Sequence, residues 1–229
     1  MEWHLQPVKG IVRQAIKNPL IAGFHSRDHL PHLKKEGASY FVTFRLAGSL
    51  PKEVLLRFKA EREAILADAM AARRPLTWHE QEELFRWHSV RVDKYLDAGS
   101  GDCRLKQTGC AEIVAAAIQH HAGERFALHA WVVMPNHVHA VLRPMSDWTL
   151  SEILKSWKGF TAREINRKLK LTGKTLWQTE SYDHLIRDEE DLQRSCAYTV
   201  NNPVVARLCK RPEDWKWSSA YVPARPSEK

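Results

Sequence analysis

Phe126-Ala127-Leu128-His129-Ala130-Trp131-Val132-Val133-Met134-Pro135-Asn136-His137-Val138-His139-Ala140-Val141-Leu142 is the stretch on which the fold turns. Within a strand at 125–134, Phe126, Leu128, Ala130, Val132 and Met134 fall on one face at the two-residue period. The strand that carries Pro135-Asn136-His137-Val138-His139 then continues to about Leu142. By the same period His137 and His139 project from one face while Val138 points the other way into packing. Two imidazoles so placed can grip one divalent cation. Alone, such a pair is a weak signal in a chain with 12 histidines, and its weight depends on what else the fold brings beside it.

Working outward, Tyr40, Val42, Phe44 and Leu46 alternate in a strand at 40–46. Pro51 opens a helix to about Ala69, Arg73-Arg74-Pro75 breaks it, and Thr77-Trp78-His79-Glu80 forms a capping box for a second helix running to about Leu96. Gly99 to Gly101 is a loop, and 109–121 is another helix. Beyond the histidines come a helix from Thr149, the segment Leu176-Trp177-Gln178, an extended piece from Tyr182 to Ile186, and a last helix. The order strand, helices, strand, strand, helix, short strand, helix predicts an α+β sandwich in which helices cover a mostly antiparallel sheet.

The last helix holds the second group of functional candidates. Asp188 with Asp191 three residues later reads as an N-cap with a reciprocal acidic partner, and Pro203 marks the end, so the helix spans roughly three to four turns. Leu192, Cys196, Thr199 and Val200 share its apolar side, and Asp191, Ser195, Tyr198 and Asn202 share a neighbouring polar stripe. Asn202, one turn beyond Tyr198, either offers a carbonyl oxygen to a site with two ring nitrogens or, preceding a proline, simply ends the helix.

Composition favours an acidic partner. Thirty-five Lys and Arg against 27 Asp and Glu give a formal charge of +8, in the range of domains that track phosphates. The distribution sharpens this. Lys155, Lys158, Arg163, Arg167, Lys168, Lys170 and Lys174 face only Glu152 and Glu164 between Thr149 and Lys174, on a helix whose apolar side is Leu150, Ile153, Leu154, Trp157, Thr161, Ile165 and Leu169. A solvated helix face and a DNA-contacting one both fit that pattern. The four cysteines, Cys103, Cys110, Cys196 and Cys209, form no C-x-x-C pair and are expected to be reduced. No stretch approaches the roughly twenty apolar residues of a membrane span, and no cleavable leader is visible, so a cytoplasmic protein without membrane contact is expected.

Five pieces in order resemble the REP-associated tyrosine transposases, single-tyrosine members of the HUH superfamily. They are Tyr40 to Leu46, Trp131 to His139, Leu176-Trp177-Gln178 with Tyr182 to Glu190, Tyr198 to Pro203, and Pro212 to Ala220. The resemblance implies a ferredoxin-like sandwich with a helical insertion at about 51–108 that shorter relatives lack. It divides the chain into an irregular arm at 1–36, the transposase domain at 37–222 and a tail at 223–229. It further implies that Tyr198 is a nucleophile, that His137, His139 and Asn202 hold Mg²⁺ or Mn²⁺, and that single-stranded DNA at palindromic hairpins is cut through a 5′-phosphotyrosine and rejoined.

With that activity in view, Lys155, Lys158, Arg163, Arg167 and Lys168 become candidate DNA contacts. His184, Asp191 and Ser195 are candidates for supporting the site, and Trp177, Gln178 and Tyr182 for support or DNA contact. Trp215 and Trp217 read as packing. A phenol with a pKa of about 10 needs help to lose its proton at neutral pH, and no sequence motif names the base. Two other functions fit the same residues: a metal-dependent phosphodiesterase in which water attacks, and a silent hairpin-binding protein. A monomer and a homodimer are both compatible with the sequence.

Overall fold

Four strands, two of them carrying the residues just quoted, form one antiparallel sheet in the order β4-β5-β3-β6. The computed structural model describes residues 23–27, 30–34, 37–74, 76–99, 101–145 and 147–223. In chain order these hold β1 (Gly23–Arg27), β2 (Leu30–Lys34), β3 (Tyr40–Arg45), α1 (Lys52–Ala71) and α2 (Trp78–Trp87). A π-helical stretch, His88–Asp93, leads into the short α3 (Lys94–Asp97). Then follow α4 (Cys110–Gln119), β4 (Phe126–Val133), β5 (His137–Pro144), α5 (Leu150–Lys168), β6 (Tyr182–Leu185) and α6 (Glu189–Val205).

β5 lies between β3 and β4 and is antiparallel to both, while β3 also pairs antiparallel with β6. Hence β3 runs parallel to β4 and β5 parallel to β6, each pair joined by a helical crossover. That β-α-β-β-α-β order is the ferredoxin-like sandwich, with α1 to α3 as extra helices between the sheet's first strand and α4. Of the expected N-terminal arm, residues 1–22 lie outside the described residues. Residues 23–27 and 30–34 pair as an antiparallel hairpin where the sequence suggested irregular chain. Most of the expected tail, 224–229, also lies outside the described residues.

The period of two sorts the sheet's side chains between two cores. Tyr40, Val42 and Phe44 of β3 and Val138, Ala140 and Leu142 of β5 face α4 and α5, packing with Val114, Ile118, Ile153, Trp157 and Ile165. Phe41 and Val141 face the opposite way, with Phe85 of α2 and the half-buried Leu192, Cys196, Tyr198 and Val200 of α6. One expectation is corrected here. Leu128 pairs with Leu142 but Ala130 pairs with Val141, so the register slips at His129. A bulge sets two residues against one and reverses the alternation beyond it. Phe126 and Leu128 therefore share the α4/α5 side with Trp131 and Val133, while Ala130 joins Phe41.

Helix ends also differ in part from the sequence reading. The Thr77–Glu80 box forms, with Thr77 N–H donating to Glu80 Oε2 at 2.7 Å and Glu80 N–H donating to Thr77 Oγ1 at 3.3 Å. The helix it starts does reach Asp97, but it widens to a π-helix on the way. Pro203 does not end α6, which continues to Val205. A proline in the last turn forfeits one backbone bond, and the amides of Ala206 and Leu208 still bond to the carbonyls of Asn202 and Pro203. Among the described residues no helix is long and apolar enough to cross a membrane, and the four cysteines are free thiols.

The inserted helices have small cores of their own, Leu50, Phe58, Val92 and Leu96 in one and Leu66, Ala69, Leu76 and Leu84 in the other. Their exit is fastened back to the end of β3. Gly101 has φ +77°, and a Cβ there would stand 2.5 Å from the carbonyl oxygen of Gly48 and 2.8 Å from that of Ser49, while Asp102 N–H donates to Gly48 O at 2.9 Å. The obstruction is backbone and cannot rotate away. Gly101→Ala is expected to cost more than the ~1–2 kcal/mol of a left-handed non-glycine residue alone, read as a lower midpoint in urea unfolding. An unchanged midpoint would contradict this clamp.

Candidate active site

Register places His139 opposite Thr43 and His137 opposite Arg45, on the sheet face that α6 covers. Both imidazoles are fully buried. His137 Nδ1 lies 2.7 Å from Asn136 Oδ1, and the Asn136 amide donates through Nδ2 to the carbonyl of Leu96 at 3.0 Å. With that amide so oriented, Oδ1 can only accept, so His137 carries its proton on Nδ1 and presents a lone pair at Nε2. Thr43 Oγ1 lies 2.8 Å from His139 Nδ1 and can accept from it in the same way. The two Nε2 atoms are 3.0 Å apart. Lone pairs facing each other at that distance repel unless a proton or a cation sits between them, and oxygen partners on Nδ1 are what orient imidazoles toward a metal.

Two acids from the inserted helices close over this pair. Asp93, fully buried at the end of the π-helical stretch, has Oδ2 3.9 Å from His139 Nε2, and Asp97 has Oδ1 3.7 Å from His137 Nε2. Their i, i+4 spacing puts both on one helical face, and the neighbouring face, Val92 and Leu96, anchors them in the insertion's own core. Burial, with the Asp93 carboxylate beside it, pushes the Asp97 carboxyl up to about 8. Neither acid was singled out from sequence. Asn136 stood inside the quoted motif without a role, and Thr43 was likewise missed.

The face that α6 turns inward is polar. Asp191, Ser195, Thr199 and Asn202 are all buried, whereas Leu192, Cys196, Tyr198 and Val200 beside them are half-buried. The Tyr198 ring packs edge-on against Phe41, Phe85 and the imidazole of His139, with centroids 5.7, 6.1 and 5.7 Å away. Its hydroxyl donates to Asp93 Oδ2 at 2.6 Å. Burial and the adjacent Asp93 carboxylate push the Tyr198 phenol far above its usual range. Asn202 Oδ1, one turn on, is buried and makes no hydrogen bond.

These donors suit a metal of mixed nitrogen and oxygen ligation. Among the described residues no group of three or more His, Cys, Asp or Glu is arranged to hold an ion. The unbonded amide oxygen of Asn202 is of the donor type that complements two imidazoles.

His184 and Asp191 meet each other and not the phenol. His184 Nε2 lies 3.0 Å from Asp191 Oδ2, which also accepts from Arg187 Nε at 3.0 Å, while Arg194 donates to Oδ1 at 3.0 Å and Arg187 reaches Glu82 of α2 at 2.9 Å. This network ties β6, α6 and the inserted helices together. Ser195 Oγ is buried without a hydrogen bond. Burial raises the Asp191 carboxyl, but the bonds from His184, Arg187 and Arg194 outweigh it and hold the carboxyl well below the usual range.

The basic helix α5 packs on the far side of the sheet from His137 and His139. Its Lys155, Arg163, Arg167 and Lys168 are exposed, Arg167 pairing with Glu164, and Phe160 stands 44% exposed among them. Lys158 instead folds over the sheet edge and donates to the carbonyls of Gln178 and Thr179 at 2.6 and 2.8 Å. There a cavity of about 200 Å³ opens beside Thr43, lined by Arg45, Lys59, Arg62, Gln178 and Tyr182 among others. Trp177 is core, donating to Thr161 Oγ1 at 2.8 Å and packing on Phe44. Trp215 donates to the carbonyl of Val133, and Trp217 packs at the edge of the core.

A family model described as "Transposase IS200 like" matches residues 104–202, a span that takes in both histidines and Tyr198 to Asn202 and excludes α1 to α3. The REP-associated tyrosine transposase of Escherichia coli (strain K12) is 32% identical over 100 residues, 42% of this chain and 55% of that protein. A second relative, from Haemophilus influenzae, is 26% identical over 112 residues, 45% of this chain and 62% of its own length. A solved structure of a REP-associated tyrosine transposase bound to a REP hairpin superposes with a TM-score of 0.45 at 15% identity, covering 85% of this chain and 81% of that one. The resemblance read from the sequence thus holds over the segment that carries the histidines and the tyrosine. The chain spans little more than half the length of the curated relatives it matches.

Removing the Asp191 carboxylate takes a shared partner from the buried His184 imidazole and from Arg187 and Arg194, although Glu82 still faces both guanidinium groups. Asp191→Ala is expected to lose about 3–5 kcal/mol at neutral pH. A carboxyl with a depressed folded-state pKa stabilises fully above its unfolded value of about 4, and that contribution fades as pH falls toward the folded value. The gap between wild type and variant in urea unfolding should therefore narrow between pH 7 and pH 3.

Proposed function

We propose that this chain nicks and rejoins single-stranded DNA at palindromic hairpins, with Tyr198 as nucleophile and a divalent ion, Mg²⁺ or Mn²⁺, held by His137, His139 and Asn202. The observation that carries this reading is the contact of the Tyr198 ring with the buried imidazole of His139, 5.7 Å between centroids, made by distant parts of one chain. A phenol, a pair of facing imidazole nitrogens and an orphaned amide oxygen are the parts such a reaction needs. The hairpin substrate comes from the likeness to the REP-associated enzymes. The domain that works this way spans about 37–222, with α1 to α3 as its insertion.

When bound, the ion polarises the scissile phosphate and fixes its position. Thr43 and Asn136 hold the imidazoles with Nε2 toward the site. The Tyr198 oxygen attacks phosphorus, the bond to the 3′-oxygen breaks, and the DNA is left with a 5′-phosphotyrosine and a free 3′-hydroxyl. The phosphotyrosine keeps the energy of the broken linkage, so a second 3′-hydroxyl can reseal the strand without ATP. Tyr198 and His139 meet within one chain, which favours an active site complete in a single subunit. The exposed Lys155, Arg163, Arg167 and Lys168, with Lys158 at the sheet edge, track the DNA backbone away from the reacting phosphate.

With a labelled hairpin oligonucleotide and Mn²⁺, the wild-type chain should form an adduct that survives denaturation, and Tyr198→Phe should form none. Cleavage that persists in Tyr198→Phe would replace this reading with attack by water. His137→Ala should lose cleavage yet keep hairpin affinity within a few-fold, because affinity resides in phosphate contacts remote from the ion. Parallel loss of affinity and cleavage in that variant would refute this division.

A further inference from the structure

We propose that Asp93, supplied by the inserted helices, is the general base that takes the proton from Tyr198. The inference rests on the proposed function and extends it to a residue outside 104–202, the span shared with the transposase family.

Geometry is the first warrant. The Tyr198 hydroxyl donates to Asp93 Oδ2 at 2.6 Å, the length of a charge-assisted O–H···O⁻ bond and within the reach a general base requires. The ring on one side and the carboxylate on the other are both fixed before DNA arrives. Phe41, Phe85 and His139 hold the ring edge-on. Asp93 sits next to Val92, which packs with Leu50, Phe58 and Leu96, and the chain returning from the insertion is fastened at Gly101 and Asp102 to the end of β3.

The second warrant is that the other nearby groups are committed elsewhere. His184 is bonded to Asp191, and Asp191 is shared by Arg187 and Arg194. Asp97 faces His137. The imidazoles turn their Nε2 atoms to each other and their Nδ1 atoms to Thr43 and Asn136. A π-helical widening that delivers one acid to a reactive hydroxyl is also the kind of irregularity that functional sites retain.

In the forward step the Tyr198 oxygen bonds to phosphorus as its proton passes to Asp93 Oδ2. The P–O3′ bond breaks with its electron pair on the 3′-oxygen, which takes a proton from water. Net, the phenolic proton ends on the new 3′-hydroxyl, relayed by Asp93 and solvent. Resealing runs the reverse way: the 3′-hydroxyl yields its proton to solvent, Asp93 takes one up from solvent, and the carboxyl so formed returns it to the departing phenolate.

The test is single-turnover adduct formation by the full chain on the labelled hairpin with Mn²⁺. Asp93→Asn keeps the shape and a polar partner but not the base, and should slow the adduct by about 10²-fold or more while hairpin affinity stays within about 2-fold of wild type. A difluorotyrosine at position 198 should restore at least about ten-fold of that loss, since a more acidic phenol needs the base less. The same replacement in a chain that retains Asp93 should gain little. An undiminished rate in Asp93→Asn overturns the proposal, and so does a slow rate that the fluorinated phenol fails to rescue, because Asp93 is then structural. If Asp93→Asn does not fold, Asp93→Glu and Asp93→Gln form a matched pair in which Glu should be at least about ten-fold faster, and equal rates would overturn it. A wild-type chain that forms no adduct overturns the proposed function and this inference together, an outcome distinct from all the others.

Discussion

Two imidazole nitrogens 3.0 Å apart in a fully buried site impose the constraint around which the rest of this protein is arranged. Lone pairs facing each other at that distance repel unless a proton or a cation lies between them. The fold answers with polar groups placed where a sandwich of this kind would otherwise bury hydrocarbon. Thr43 and Asn136 take the outer ring nitrogens, Asp93 and Asp97 stand across from the inner ones, and α6 turns its polar face inward. Each of these groups is costly to bury singly. Together they surround the facing nitrogens with oxygen acceptors and carboxylates.

That demand explains why the inserted helices are not an appendage. Phe85 of α2 leaves their small cores to join the sheet's, packing edge-on against Phe41 at 5.6 Å, and their backbone receives the Asn136 amide at Leu96. Glu82 accepts from Arg187 at the root of α6. The insertion thus braces the histidine strand through Asn136, the tyrosine helix through Arg187, and the reactive hydroxyl through Asp93. Loosening any one of these shifts the geometry of the other two, because the braces converge on side chains that already touch.

Much of this was legible in sequence, for identifiable reasons. His137 and His139 share a face because a strand has a period of two. The capping box at Thr77 announces itself locally, and Asp188 caps α6 as its spacing suggests. What could not be read depends on contacts across long sequence separations. The slip at His129 is set by pairing with β5, not by the alternating residues themselves. Asp93 lies 105 residues from Tyr198, and in a helix of mixed charge nothing local distinguishes it from a solvated acid. On α6, periodicity put Leu192, Cys196, Thr199 and Val200 on the apolar side, yet Asp191, Ser195 and Asn202 of the polar stripe are buried with Thr199 while Leu192, Cys196 and Val200 stay half-buried beside Tyr198. Periodicity assumes an apolar partner surface, and here the partner surface carries the site. Places where local rules fail in this way are where function concentrates.

The placement of α5 bears on how DNA lies against the proposed reaction centre. Its exposed cations and Phe160 are on the side of the sheet away from Tyr198, so a DNA strand contacting both would have to pass around the sheet edge at β4 or the one at β6. The chemistry at the β6 edge fits such a path. Burial lowers Arg45 to about 10 despite Glu180 nearby, and burial together with Arg45 lowers Lys158 to about 8. Of these two only Arg45 lines the cavity, with Lys59, Arg62 and Glu180, so an anion entering there would meet one desolvated cation and would lift Arg45 toward its ordinary value. The cavity adjoins Thr43, which orients His139.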